Sequence, residues 1–245
     1  MNIYLDIETI PGQSPALKAE IAVDIRPPGS MKKAETIARW EAEEKPLAIE
    51  AAWRKTSFHG DRGEVVCIAW AVDDNPVAVI SRKMEGREHE ERDLLYEFFD
   101  AIEREIANSH GRIPTWVGHN VRDFDLRFLF HRAVVLGARP PFRLPHDAKP
   151  GGEHVYDTMT AWAGYRDRIS LDRLCKALAI PTKGTELGGE AIDGSKVWDF
   201  VKAGRIGDVA EYCRADVERV RRVHKRLTFA DGLPSFREEE ERQTA

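Results

Sequence analysis

The pattern of apolar runs in this chain predicts an α/β fold: a mixed sheet flanked by helices, with a helical insertion after the first strand. Three observations carry that reading. An apolar run at 2–8, NIYLDIE, suits a buried central strand whose carboxyl end bears acids. Two β-rich runs, Val65 to Val72 and Val77 to Ile80, are separated by the turn residues Asp73-Asp74-Asn75-Pro76 and read as a hairpin. After the hairpin, helical and strand patterns alternate, which implies parallel crossovers covered by helices.

The elements follow in order. Thr9 to Gly12, with Pro11 and Gly12, ends the first strand. Residues 13–60 form the charged insertion, where Met31 to Glu44 and Pro46 to Lys55 are rich in helix formers and Pro46 suits a first helical turn. Glu88 to Asn108 sets Leu94, Leu95, Phe98, Phe99, Ile102 and Ile106 at three-to-four-residue spacing, so one helix face is apolar. Thr115 to Gly118 reads as a short strand, and Phe124 to Leu136 as a helix stopped by Gly137 in a left-handed cap. Four prolines, Pro140, Pro141, Pro145 and Pro150, mark an irregular connection before a short strand from His154 to Asp157. Ser170 caps a helix from Leu171 to Leu178, and Gly184 to Gly194 reads as a loop. Asp208 with Glu211 resembles a capping box that opens a long helix, whose stripe is Val209, Cys213, Val217, Val220 and Leu227. These patterns do not fix the order of the strands.

The bulk properties narrow the class. The 245 residues suit a single domain over 1–229, followed by a polar, acidic tail at 230–245 expected to be mobile. A hydrophobic content of 42% is ordinary for a globular protein, and no apolar run is long enough to cross a bilayer, so no membrane partner is expected. The chain opens directly into a strand without a secretory layout, which points to the cytoplasm. Cys67, Cys175 and Cys213 are too few and scattered for a disulfide framework or zinc cluster, and each has apolar neighbours. A net charge of −5 argues against coating nucleic acid by broad electrostatics. A cluster of carboxylates loaded with divalent cations would reconcile an acidic chain with a polyanionic substrate.

Three short motifs supply such carboxylates. Asp6 and Glu8 are two apart on a strand, so their side chains leave one face and repel unless a cation joins them; two solvated acids at an exposed strand end are the bland alternative. His119-Asn120-Val121-Arg122-Asp123-Phe124-Asp125 follows a strand, where open sheets place ligands, although Asp125 equally suits a helix N-terminal dipole. Tyr212 and Asp216 are one helical turn apart and project together, as a core aromatic and a surface acid also would.

Taken together, DIET, HNVRDFD and YCRAD resemble the three motifs of the DEDD superfamily of 3′-5′ exonucleases, in the DEDDy branch marked by the tyrosine. HN-xxx-FD and YxxxD also resemble the motifs of predicted exonucleases similar to the proofreading domain of family B DNA polymerases. The resemblance spans Asn2 to Leu227 and implies a ribonuclease-H-like fold. It implies two ions, Mg²⁺ or Mn²⁺: one held by Asp6, Glu8 and Asp216, the other by Asp6 and Asp125. Tyr212 would orient the attacking water, and Ile7, Thr9, His119, Asn120 and Phe124 would line the substrate strand. The expected substrate is the 3′ end of single-stranded DNA or RNA, DNA preferred, with a polymerase or other replication or repair protein as partner in trans. A nuclease-like module that binds without cutting, and a proofreading subunit active only with a polymerase partner, are the competing readings.

Weaker signals are Lys183 with Gly184, Gly188 and Gly189 as a phosphate contact, and Arg122, Arg127, Arg166 and Arg168 as backbone contacts. Asp157 reads as a helix cap, with a supporting role at the site as its alternative. In the insertion, Trp40 and Trp53 suit packing better than a stacking platform for bases.

Overall fold

In the computed structural model, which describes residues 1–82, 89–149, 151–181, 186–187, 190–191 and 194–232, the first strand is the middle of a five-stranded mixed sheet. Strand β1 (Asn2–Ile10) pairs antiparallel with β2 (Glu64–Val72), which pairs antiparallel with β3 (Ala78–Ser81). On its other side β1 pairs parallel with β4 (Thr115–Gly118), and β4 with β5 (Val155–Asp157). The order is therefore β3-β2-β1-β4-β5. This is the α/β fold expected from the sequence, with the ribonuclease-H-like arrangement that the motifs implied.

The insertion between β1 and β2 contains helices α1 (Leu17–Asp24), α2 (Ala34–Glu43) and α3 (Lys45–Arg54), then a 3₁₀ turn at Lys55–Phe58. The chain continues through α4 (His89–Ala107), α5 (Asp125–Leu136), α6 (Thr158–Ala163) and α7 (Leu171–Ala177). A small antiparallel pair, β6 (Glu186–Leu187) and β7 (Glu190–Ala191), precedes α8 (Val197–Lys202) and α9 (Ile206–Leu227). That pair corrects the reading of Gly184 to Gly194 as wholly loop: a ladder this short carries too few residues to show a period.

Alternation along β1 sorts the two faces. Ile3, Leu5 and Ile7 pack against α4 and α5, with Leu95, Phe98, Phe99, Leu126 and Leu129. Tyr4 and Ile10 face the other layer, where Val209, Cys213, Val217 and Val220 of α9 lie with Val197 and Phe200 of α8. Burying a strand on both faces explains why β1 and β2 are almost continuously apolar. The carboxylates of Asp6 and Glu8 interrupt that pattern on the α9 side.

Two boundaries deserve comparison with the sequence. Gly137 does close α5 in the left-handed region, at φ 63°. Helix α9, in contrast, starts at Ile206, ahead of Asp208, and no side chain caps it. Asp208 instead pairs with Arg205 at 2.6 Å, so the capping box is a correction: an ion pair inside the first turn imitated it.

Candidate active site

The acids converge because three elements end or pass at the same place. Asp6 and Glu8 leave β1 on the α9 face, and the register with β2 shifts immediately after Glu8, so a bulge sits beside the pair. Asp125 opens α5, and its Oδ1 accepts a hydrogen bond from the Ile7 amide at 3.1 Å. That bond ties the helix start to the backbone between the two strand acids. Asp125 thus combines the two roles left open for it, a first-turn acid and a member of the cluster. From α9, the Cys213 thiol donates to the Asp6 carbonyl at 3.4 Å, seating Tyr212 and Asp216 against the same strand.

The electrostatics show four groups that cannot all remain ionised at low cost without cations. Burial, then the charges of Asp216, Glu8 and Asp125, push Asp6 well above the usual carboxylate range. Glu8 is pushed well up by burial and by Asp216. Asp125 rises to about 7 through burial, opposed by backbone N–H donors that include Ile7. Asp216 rises to about 6 through burial, opposed by the Arg219 guanidinium and a hydrogen bond with Tyr212. The Tyr212 phenol is pushed far up by burial and then by Asp216, Glu8 and Asp6, so it stays protonated.

These residues fit a hard divalent ion. Oδ2 of Asp6 is buried and has no hydrogen-bond partner among the described residues. An orphaned carboxylate oxygen beside like charges is relieved by a cation that takes oxygen ligands, as magnesium and manganese do. Cys213 lies among apolar neighbours as read, and it also faces the acids: its Sγ and carboxylate oxygens of Asp6 and Glu8 lie within 4.8 Å of one another. A stripe that faces a sheet meets whatever the strand presents, here two acids. Burial pushes the Cys213 thiol well up, so it serves as a neutral donor.

The residues assigned to the substrate strand are engaged as follows. Ile7 is in the core, and Thr9 Oγ1 donates to the Ser57 carbonyl at 2.7 Å. His119 has Nδ1 3.0 Å from Thr158 Oγ1 and Nε2 2.8 Å from the Ile169 carbonyl oxygen. Phe124 packs at an angle on Phe128, with ring centroids 5.6 Å apart. Asn120 sits in the left-handed region at φ 64°, and its buried Oδ1 lacks a partner among the described residues. Asp157 caps α6 through Met159 and Thr160 and also accepts from the amides of Asn120 and Arg122, so it anchors the loop that delivers Asp125.

Other readings resolve differently. Trp40 and Trp53 are both buried, and the Trp53 indole donates to the Gly12 carbonyl, so neither offers a face for stacking. Arg54 pairs with Glu50 and Asp199. The Arg122 guanidinium is bound to Asp123. Lys183, Gly184, Gly188 and Gly189 lie outside the described residues. A cleft of about 420 Å³, lined by Phe130, Ala133, Val134, Leu144 and His146, contains none of the acids. Sequence reasoning missed Arg219, whose guanidinium meets Asp216 on the next turn of α9; the three-residue spacing was the available signal.

A scan of protein families matches residues 58–244 to predicted 3′-5′ exonucleases related to the exonuclease domain of PolB. The match takes in β2 through α9, with Asp125, Tyr212 and Asp216, and begins after the strand that holds Asp6 and Glu8. A search of the curated proteins finds no match. Most of the chain is covered by the family match, and the protein belongs to this family of predicted 3′-5′ exonucleases.

Proposed function

We propose that the protein is a metal-dependent 3′-5′ exonuclease that removes nucleoside monophosphates from single-stranded nucleic acid, DNA in preference to RNA. The observation that carries the proposal is the meeting of Asp6, Glu8, Asp125 and Asp216 beside a protonated phenol, with Asp6 Oδ2 unpartnered among the described residues. Asp6, Glu8 and Asp216 would hold one Mg²⁺ or Mn²⁺ ion, and Asp6 with Asp125 a second. When bound, such ions polarise the phosphate and make a water nucleophilic near neutral pH.

The chain's own residues do the positioning. The Tyr212 hydroxyl donates to or accepts from the attacking water and fixes its line of approach; its raised pKa excludes it as a bulk base. Asp157 holds the loop at Asn120 and Arg122, so that the start of α5 meets β1 in one register. Burial of the acids keeps their field strong toward an incoming cation.

A titration of magnesium or manganese against single-stranded DNA and RNA of one sequence, each labelled at the 5′ end, tests this. The expected result is a ladder shortening one nucleotide at a time, faster on DNA, and abolished by chelator or by Asp6→Ala. Binding without shortening would favour the non-cutting module, and equal shortening by Asp6→Ala would remove the assignment.

A further inference from the structure

Among the described residues, Asp216 is the one acid of the four that meets a cationic side chain. The Arg219 guanidinium lies against its Oδ1 through Nη2, one turn along α9, and the two side chains are both largely shielded from solvent. The same guanidinium is 6.0 Å from the centroid of the Tyr212 ring. Arg219 Nε is buried and finds no acceptor among the described residues. A buried guanidinium with an idle donor, beside a carboxylate of the cluster, is costly if its only role is to staple one turn of helix, because exposed pairs at this spacing do that in water.

Charge explains the placement. Two divalent ions match four ionised carboxylates, so once the ions are bound a guanidinium at Asp216 has no counter-charge left until an anion arrives. A phosphodiester or a released monophosphate is that anion, and its oxygens pair with a nearby cationic side chain. Resting on the proposed function, we propose that Arg219 is a positioning residue of the acidic centre: it occupies Asp216 in place of a cation in the metal-free protein, and after displacement it couples metal loading to phosphate binding. A purely structural pair would stabilise α9, and its replacement would leave unchanged the coupling that the ions' own contact with phosphate provides.

The test is a calorimetric titration of manganese into the full chain, with and without thymidine monophosphate. In the wild type, the nucleotide should tighten manganese binding about tenfold, within the ordinary range of coupling between two ligands. Arg219→Gln should bind manganese alone several-fold more tightly than the wild type, and the nucleotide should then tighten manganese at least about threefold less than it does in the wild type, the remainder coming from the ions' own contact with phosphate. Arg219→Lys, which keeps the charge, should restore the wild-type order. If the Gln variant does not fold, Arg219→Met fills similar volume without charge and takes its place in the comparison. Wild-type coupling in the uncharged variant, or loss of coupling in the Lys variant, overturns the inference while leaving the nuclease reading intact. A wild-type protein that takes up no manganese overturns both.

Discussion

The role proposed for Tyr212 follows from its surroundings. The same phenol in water would titrate near its ordinary value of about 10, but burial and the three nearby carboxylates push it far above that, leaving a hydroxyl that can only exchange hydrogen bonds. Tyr212→Phe is therefore expected to slow strand shortening roughly a hundredfold, the low end of what a positioned proton-bearing group contributes. Manganese affinity measured by calorimetry should remain within about twofold of wild type, since no ligand is lost. A large loss of manganese binding would instead make the phenol part of the ligand shell. At this scale the sequence was informative where spacing alone dictates direction. Asp6 and Glu8 share a strand face by a period of two, and Tyr212 and Asp216 share a helix face by one turn. Arg219 and Cys213 were harder to read: spacing sets Arg219 one turn from Asp216 and Cys213 on an apolar stripe, but what either does depends on the facing strand.

At the scale of the element, the site is held by polar anchors that no periodicity announces. Arg132 of α5 donates through Nε and Nη2 to both oxygens of Glu91 in α4, at 2.8 and 2.7 Å, and Glu91 also accepts from the Val65 amide of β2. Both side chains are nearly inaccessible, so the pair locks α4, α5 and β2 into one unit. Removing one partner strands a buried charge, and Arg132→Ala is expected to cost about 3–5 kcal/mol in urea unfolding. A loss under about 1 kcal/mol, the range of an exposed pair, would mean that water reaches Glu91. Helices with a clear apolar face, α4 above all, were legible almost to their ends because a single stripe had one core to meet. The start of α9 was not, because an acid in the first turn serves an ion pair as readily as a cap. In the insertion, α2 and α3 were read from their helix formers, while the short α1 carries too weak a stripe to detect.

For the whole molecule, the order of strands lay beyond the sequence patterns, since each strand's neighbour is set by contacts distant along the chain, such as Ile3 with Trp116 and Ile7 with Ile68. The topology gathers the acids beside β1, and this makes overall stability depend on pH and metal. Burial pushes Asp125 up to about 7 and Asp216 up to about 6, above the ordinary aspartate range, and Asp6 and Glu8 are also raised. The folded state therefore holds more protons than the unfolded state, and the contribution of these groups to stability is present below about 4 and lost as pH rises through about 7. In chelator the melting temperature should fall over that window, and saturating magnesium should restore it most at the alkaline end. A melting temperature that rises through the window in chelator would show that these carboxylates are not desolvated together.

The account stands on four carboxylates from β1, α5 and α9 sharing cations, and crystals soaked in manganese and measured for anomalous scattering test that most directly. Two peaks roughly 4 Å apart are expected, one among Asp6, Glu8 and Asp216 and the other at Asp6 and Asp125, with the Arg219 guanidinium moved off Asp216. Manganese bound elsewhere, with the acid cluster empty and Arg219 still on Asp216 at saturating metal, would contradict it.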